Sequence, residues 1–146
     1  MANQTQRPDT ALHNTSHLMQ YHDLIESIVA AMDARDAYTS KHSDRVADMV
    51  LVLATALDLS EDETTLLHMA AHLHDIGKIA VPDSVLRKAG PLTNPEWEEM
   101  RRHPVTGYEI LRKVDDFKEI AVLVRHHHER WDGRGYPDGL CGADIP

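Results

Sequence analysis

Apolar residues recur at helical spacing along almost the whole chain, and this periodicity constrains the fold more than any other feature. The spacing predicts helices over residues 16–34, 40–58, 61–76, 93–102, 104–113 and 116–128. No stretch alternates apolar and polar residues for long enough to predict a strand. With 146 residues the chain has the size of one domain. The sequence therefore predicts one all-α bundle of about six helices, preceded by a polar, disordered segment over residues 1–15.

Two predicted helices begin with capping-box sequences, SEDE at residues 60–63 and TNPE at residues 93–96. In such a box the first and fourth side chains accept hydrogen bonds from each other's backbone N–H groups. Gly77 predicts the end of the third helix. Residues 78–92 contain one glycine and two prolines, which favours an ordered loop with about one helical turn, and residues 129–146 are predicted to be loop.

The chain carries a formal net charge of −9, from 24 acidic and 15 basic side chains. This balance argues against binding to DNA, because non-specific affinity for nucleic acid depends on clustered basic residues. No apolar run approaches the roughly 20 residues that a membrane span needs, so we expect no membrane insertion. A lone Cys141 excludes an internal disulfide and favours a reducing compartment, so we expect a cytoplasmic protein.

Histidine is the outlier of the composition, with 11 residues, and several of them extend predicted apolar helix faces. The predicted first helix has an apolar face of Leu18, Tyr21, Leu24, Ile25 and Ile28, and the second has one of Val46, Met49, Val50, Leu53 and Leu57. His42 begins the apolar face of the second helix, and His74 ends that of the third. His127 and His128 end the face of the last helix, while His103 lies at a junction between two helices. Because buried imidazoles need polar partners, histidines that converge from several helices favour a shared metal site.

Asp75 adjoins His74 and adds a carboxylate to this set. The predicted metal ligands are His42, His74, Asp75, His103, His127 and His128. Six ligands exceed what one metal with an open position takes, so we expect two divalent metal ions. Imidazole and carboxylate without a cysteine pair suit Fe, Mn, Zn, Ni or Co rather than a structural zinc motif. Lys78 follows His74 by one helical turn, where it could hold a phosphate oxygen or assist a leaving group.

The remaining histidines are interpreted without a metal. His68 and His72 are four residues apart on the third helix, but Met69 follows His68, so the metalloprotease pattern fails. We interpret both as ordinary helix residues. Three others are interpreted as surface residues, namely His13, His17 and His22.

Four segments occur in an order that resembles the HD-GYP domain, a branch of the HD superfamily of metal-dependent phosphohydrolases. They are DAYTSKHSDRV at 36–46, HLHDIGKIAVPD at 72–83, GPLTNPEWEEMRRHP at 90–104 and HHHERWDGRGYPDGL at 126–140. The resemblance runs from about residue 24 to the last residue. It implies an all-α, HD-superfamily helical bundle, which we assign to residues 16–146.

The resemblance also implies a function. The usual activity of the family is metal-dependent hydrolysis of cyclic di-GMP, through linear pGpG towards GMP, in bacterial signalling. It implies two metals, Fe or Mn, held by the six predicted ligands, with Asp75 as the bridging catalytic carboxylate and Lys78 as the catalytic, phosphate-contacting residue. The implied substrate-binding residues are Lys78, Arg134, Gly135, Tyr136 and Pro137. The GYP segment has been linked with diguanylate cyclase domains as partners, and the sequence leaves a homodimer open.

Two departures from the family pattern bear on the site. Members with a three-metal centre carry a glutamate four residues before the first histidine ligand, where this chain has Tyr38, so we expect two metals. The family domain also continues beyond residue 146, with a further aspartate ligand and basic residues for the substrate phosphates. We therefore expect a C-terminally incomplete domain that lacks the family's last helices, and the activity of this chain alone stays open.

Three other interpretations compete with this function. The first is an HD-type phosphohydrolase acting on another nucleotide, which the GYP segment disfavours. The second is a catalytically impaired module that binds partners; the intact His74–Asp75 pair and Lys78 argue against it, and the missing helices argue for it. The third, a helical domain with surface histidines, leaves the alignment of histidines with apolar faces unexplained.

Overall fold

The fold is a bundle of α-helices. The computed structural model describes residues 21–35 and 42–146, and these residues contain no β-strand. The α-helices are α1 (His22–Arg35), α2 (His42–Ala56), α3 (Glu61–Leu73), α4 (Asp83–Leu86), α5 (Asn94–Met100), α6 (His103–Leu111) and α7 (Lys118–His126). Since α4 is a single turn, the six longer helices confirm the predicted all-α class. In the part of the chain described, no helix combines the length and apolar character needed to cross a bilayer.

Helix ends lie within three residues of the predicted ones wherever those ends fall among the described residues. Several predictions fall outside them: the disordered segment 1–15, the surface positions of His13 and His17, the starts of the first and second helices, and the residue at position 38. The expectation of two rather than three metals that rests on Tyr38 therefore stays a prediction.

Both predicted capping boxes form. At the start of α3, the Glu63 N–H donates to the Ser60 hydroxyl at 3.3 Å, and the Ser60 N–H donates to the Glu63 carboxylate at 3.0 Å. At the start of α5, the Thr93 N–H donates to the Glu96 carboxylate at 2.7 Å. These bonds satisfy N–H groups that the first helical turn leaves without partners, and they fix where both helices begin.

The third helix ends earlier than predicted. α3 stops at Leu73, and a 3₁₀ turn (Ile76–Ala80) follows it, so Gly77 lies inside this turn rather than at the end of α3. A Cβ at Gly77 would collide with the backbone carbonyl of His103. Glycine is therefore needed for close packing between the 3₁₀ turn and α6, and this packing brings Asp75 and Lys78 towards His103.

The core lies where α3 packs between α1, α2 and α7. Met69 of α3 and Ile120 of α7 have no exposed surface. The buried cluster also contains Ile25, Val29, Ala70, Leu73, Ile76, Leu111, Ala121 and Val124. Because α3 and α7 pack side by side, the residues that follow their C-terminal ends meet at one end of the bundle.

The predicted buried face of α2 is wrong. α2 buries Ser43, Ala47 and Ala54, whereas the predicted core residue Met49 is 64% exposed. Four further predicted core positions are exposed, namely Leu24, Ile28, Leu53 and Leu57. α2 is apolar around most of its circumference, so periodicity alone does not select a face, and small side chains permit the closest approach to α3.

Candidate metal centre

The structure brings all six predicted metal ligands together in two neighbouring triads. One triad is formed by His42, His74 and Asp75, and the other by His103, His127 and His128. Within each triad the candidate ligand atoms lie within 4.8 Å of one another. The ring centroids of His74 and His127 are 5.2 Å apart, so the two triads are adjacent. We refer to the six residues as the candidate metal centre.

Asp75 connects the two triads. Its Oδ2 atom lies 3.1 Å from Nε2 of His74, and its Oδ1 atom lies 3.4 Å from Nε2 of His103. The residue is 8% exposed, so water satisfies little of the carboxylate. The two oxygens of one buried carboxylate thus face different triads, which is the arrangement that a bridging ligand needs.

Backbone carbonyls fix the tautomers of three histidines in the centre. His74, His103 and His127 each donate an Nδ1–H to a carbonyl three residues earlier, at distances of 2.7, 2.8 and 2.7 Å. A neutral imidazole that donates from Nδ1 carries its lone pair on Nε2. All three rings therefore present Nε2 to the interior of the centre as a metal ligand would.

These lone pairs face one another. The Nε2 atoms of His103 and His127 lie 3.3 Å apart, and both are acceptors when the rings are neutral. The Nε2 of His103 also faces a carboxylate oxygen of Asp75. Contacts between acceptors are unfavourable unless a proton or a metal cation lies between them.

The lowered pKa values of these histidines favour a cation over a proton. Burial lowers the pKa of His103 and of His127 to about 4, and it lowers the pKa of His128 to about 4 with the help of His103. Burial opposes ionisation of Asp75, but His74 and Lys78 outweigh it and hold the pKa of that carboxyl well below its usual range. Three neutral imidazoles beside an ionised carboxylate can bind a divalent metal without first losing protons, so these residues fit a metal centre.

Lys78 lies at the edge of the centre, where its ammonium is 2.8 Å from Oδ2 of Asp75. Arg35, the last residue of α1, holds the 3₁₀ turn that carries Lys78. Its guanidinium donates to the carbonyls of Lys78, Ile79 and Val81 at 3.0, 2.7 and 2.6 Å. Sequence reasoning missed Arg35, because its contacts lie more than 40 residues away and no local pattern indicates them.

The GYP loop, residues 129–140, packs directly on the histidines. A Cβ at Gly135 would collide with the backbone of Glu129, so only glycine fits there. The next residue, Tyr136, stacks on His128 with ring centroids 4.6 Å apart and an interplanar angle of 21°. The guanidinium of Arg101 lies 4.7 Å from the centroid of the Tyr136 ring. The loop thereby places an aromatic ring beside a candidate metal ligand, and Arg101, which directly follows α5, adds a cation on that ring.

A cavity of about 680 Å³ opens beside His127 and His128. Three of the predicted substrate-binding residues line it, namely Arg134, Gly135 and Tyr136. Its lining also includes three residues that the sequence did not indicate, namely Trp97, Arg101 and Arg130. Pro137, which follows Tyr136 through a cis peptide bond, is absent from this lining. Lys78 and Asp75 line a different cavity of about 200 Å³, beside α1.

Comparison with known proteins identifies a matching family and several curated relatives. Residues 23–146 match the family model described as HD domain. The chain is 45% identical over 126 residues to the cyclic di-GMP phosphodiesterase response regulator RpfG of Xanthomonas campestris, which covers 85% of this chain and 33% of that protein. It is 43% identical over 129 residues to the 3'3'-cGAMP-specific phosphodiesterase 2 of Vibrio cholerae, and this match covers 85% of this chain and 24% of that protein. It is 39% identical over 126 residues to a cyclic di-GMP phosphodiesterase of Thermotoga maritima, and this match covers 85% of this chain and 34% of that protein.

The chain spans between about a quarter and a third of the length of these curated relatives. The family match at residues 23–146 includes all six residues of the candidate metal centre and all four segments that resemble the HD-GYP domain. The HD family implies binding of divalent metal, in agreement with the donor set. The chain therefore belongs to the HD domain family, as a domain of the HD-GYP type.

Proposed function

We propose that this domain hydrolyses the second messenger cyclic di-GMP through linear pGpG towards GMP, with two divalent metal ions bound in the candidate metal centre. The observation that carries the proposal is the position of the Asp75 carboxylate. One of its oxygens faces His74 in the first triad, and the other faces His103 in the second. Two of the relatives are named cyclic di-GMP phosphodiesterases, which supports a cyclic dinucleotide as the substrate class.

The donor set supports two ions, with Fe or Mn as the proposed metals. Each triad offers three ligand atoms within bonding reach of one ion, and none of the six donors is a thiolate. Imidazole and carboxylate donors suit these metals. When bound, such a pair of ions supplies Lewis acidity to a phosphodiester and a source of hydroxide near neutral pH.

Lys78 is proposed to bind the scissile phosphate. An ammonium has three N–H donors, and the contact with Asp75 at 2.8 Å uses one of them. The hydrogen bonds from Arg35 hold the turn on which Lys78 lies. Its positive charge would stabilise negative charge that develops on the phosphate during attack.

The cavity of about 680 Å³, which Lys78 does not line, is proposed to hold the bases and the second phosphate of the substrate beside the metals. Trp97 and Tyr136 offer aromatic faces on which guanine bases can stack. Three guanidinium groups supply positive charge for the second phosphate in a chain whose net charge is −9; they belong to Arg101, Arg130 and Arg134. The close packing of Gly135 fixes the position of this side of the cavity.

A second candidate substrate is 3'3'-cGAMP, because one relative at 43% identity is named as specific for it. The two substrates differ in one base, so the base-stacking side of the cavity would discriminate between them.

The test measures turnover of cyclic di-GMP, 3'3'-cGAMP, pGpG and a nucleotide monoester by the Mn²⁺-loaded or anaerobic Fe²⁺-loaded protein. Asp75→Asn is the inactive control. Asp48→Asn, at an exposed position on α2 outside the centre and the GYP loop, is the matched control.

The proposal expects cyclic di-GMP to be cleaved faster than the other substrates. Faster cleavage of 3'3'-cGAMP would transfer the assignment to that dinucleotide. Tight binding of either without turnover would favour the regulatory, partner-binding interpretation, and cleavage of the monoester alone would favour another HD-type phosphohydrolase.

Two further proposals concern the setting of the domain. A diguanylate cyclase domain is proposed to dock on the GYP loop, where Trp131 is 77% exposed. Trp131→Ala would then weaken binding of the isolated cyclase domain without changing metal content.

A cytoplasmic location is supported by the free, exposed thiol of Cys141, which suits a reducing compartment.

A further inference from the structure

A second histidine cluster lies between α1 and α3 and shares no residue with the candidate metal centre. His22 comes from the first turn of α1, and His68 and His72 come from successive turns of α3. Candidate ligand atoms of the three residues all lie within 4.8 Å of one another. The ring centroids of His68 and His72 are 4.7 Å apart, and that of His22 lies 5.9 and 5.6 Å from them.

His72 carries a buried nitrogen that lacks a hydrogen-bond partner. The residue is 6% exposed, and its Nδ1 atom has no partner among the described residues. The nearest carboxylate, Oδ1 of Asp44, lies 3.8 Å away, which is too far for a hydrogen bond. A buried polar atom without a partner is unfavourable and rare, so it indicates that something else occupies this position.

The surroundings of His68 and His22 also favour binding of a cation at this position. The Nδ1–H of His68 donates to the carbonyl of Ala47 on α2 at 3.4 Å, which leaves the lone pair on Nε2. A hydrogen bond of this kind commonly orients metal-binding histidines. The Nδ1 of His22 lies 3.5 Å from a carboxylate oxygen of Glu26. With Asp44, this carboxylate makes the surroundings of the cluster favourable for a cation.

We infer that His22, His68 and His72 form a second metal site, which binds a divalent transition-metal cation of the zinc class. Zinc is commonly four-coordinate with imidazole bonds of about 2.0 Å, so tetrahedral ligand atoms lie about 3.3 Å apart. The observed separations, up to 4.8 Å, require only small movements of the rings. A water molecule or the nearby carboxylate of Asp44 can complete the coordination.

A cation at this site would join α1 to α3. α3 leads directly to His74 and Asp75 of the candidate metal centre, while α1 ends at Arg35, which holds the turn carrying Lys78. The site is built at the opposite end of α1 from Arg35. Its expected effect is therefore on the stability of the α1–α3 packing rather than on chemistry at the phosphate.

The test counts zinc equivalents by competition with a chromogenic chelator and measures the Tm with and without Zn²⁺. His22→Gln and His68→Gln are the main variants, because neither residue is fully buried; His72→Gln, at a buried position, is a third. His126→Gln is the matched control, since His126 belongs to neither cluster and pairs with Asp138.

We expect His22→Gln and His68→Gln each to bind one zinc fewer than the unchanged protein, or to bind that zinc at least tenfold more weakly. The increase in Tm that this zinc produces should disappear in both variants, while His126→Gln keeps it. The candidate metal centre should remain loaded, so Mn²⁺-dependent turnover should be retained. Equal zinc stoichiometry and affinity in His22→Gln, His68→Gln and the unchanged protein would overturn the inference.

Discussion

The Nε2 atoms of His103 and His127 lie 3.3 Å apart while each ring donates its Nδ1–H to a backbone carbonyl. With both pKa values lowered to about 4 by burial, two lone pairs face each other at neutral pH. The backbone thus commits both rings to accept from the same small volume. A cation shared by this pair accounts for the arrangement better than a proton does.

The pH dependence of metal binding should therefore be governed by His74 rather than by His103 or His127. Burial alone would lower the pKa of His74, but the hydrogen bond and charge of Asp75 raise it above its usual value. A proton and a metal compete for Nε2 of His74, so affinity is full above this raised pKa and falls as the pH drops through it. Calorimetry in buffers of different ionisation enthalpy should show that the number of protons released on metal binding rises as the pH drops through this raised pKa. Release of three or more protons per bound centre would contradict the neutral state assigned to His103, His127 and His128.

Lys78→Met should lower turnover by ~10²-fold, the scale of losing one charge-stabilising group, and leave metal content unchanged. The matched control is Lys88→Met, which removes a lysine that pairs with Glu96 away from the centre. Steady-state kinetics on metal-loaded protein check this, with metal analysis of the same samples. Full turnover by Lys78→Met would remove Lys78 from the proposed mechanism.

Arg35→Met should weaken the 3₁₀ turn that carries Lys78, because three backbone carbonyls lose their donor. Turnover should fall while metal content is retained, and amide hydrogen exchange across residues 76–81 should become faster. Arg112→Met is the control, since the Arg112 guanidinium forms an exposed pair with Glu109 and lies over the Tyr108 ring, and among the described residues it forms no hydrogen bond or ion pair with the 3₁₀ turn. If exchange in the turn is unchanged, Arg35 does not position Lys78.

Gly135→Ala should displace the GYP loop, because the added Cβ would collide with the backbone of Glu129. Since Tyr136 stacks on His128, the displacement should raise KM and lower metal affinity together. Gly90→Ala is a clean comparison, because a Cβ at Gly90 meets nothing within 4 Å. Kinetics that match between the two variants would show that the close packing of Gly135 is not needed.

Much of the fold and the convergence of the six predicted ligands followed from sequence. Helical periodicity and the two capping boxes sufficed for the helices, because both are local signals. His74, His127 and His128 extend the apolar faces of their helices, so the sequence indicated that all three lie on the core side, although it did not show which helices pack together. His42 lies near His74 as expected, with ring centroids 5.5 Å apart, although the reasoning assigned α2 the wrong buried face.

Contacts over long sequence separations were not predictable. Arg35 was missed because it bonds to carbonyls more than 40 residues away. His22 was interpreted as a surface residue and His68 as an ordinary helix residue, yet their rings stack. The spacing of His68 and His72 was visible in the sequence, but the third ring arrives only because α1 packs on α3.

Anomalous diffraction from crystals of the Mn²⁺-loaded protein would show whether Asp75 joins two metal positions. We predict two anomalous peaks of comparable height, one beside His42 and His74 and the other beside His103, His127 and His128, with one Asp75 oxygen next to each. In the matched Asp75→Asn crystals both peaks should weaken strongly. A single peak that is unchanged in Asp75→Asn, or peaks that do not contact Asp75, would refute the bridging role of Asp75.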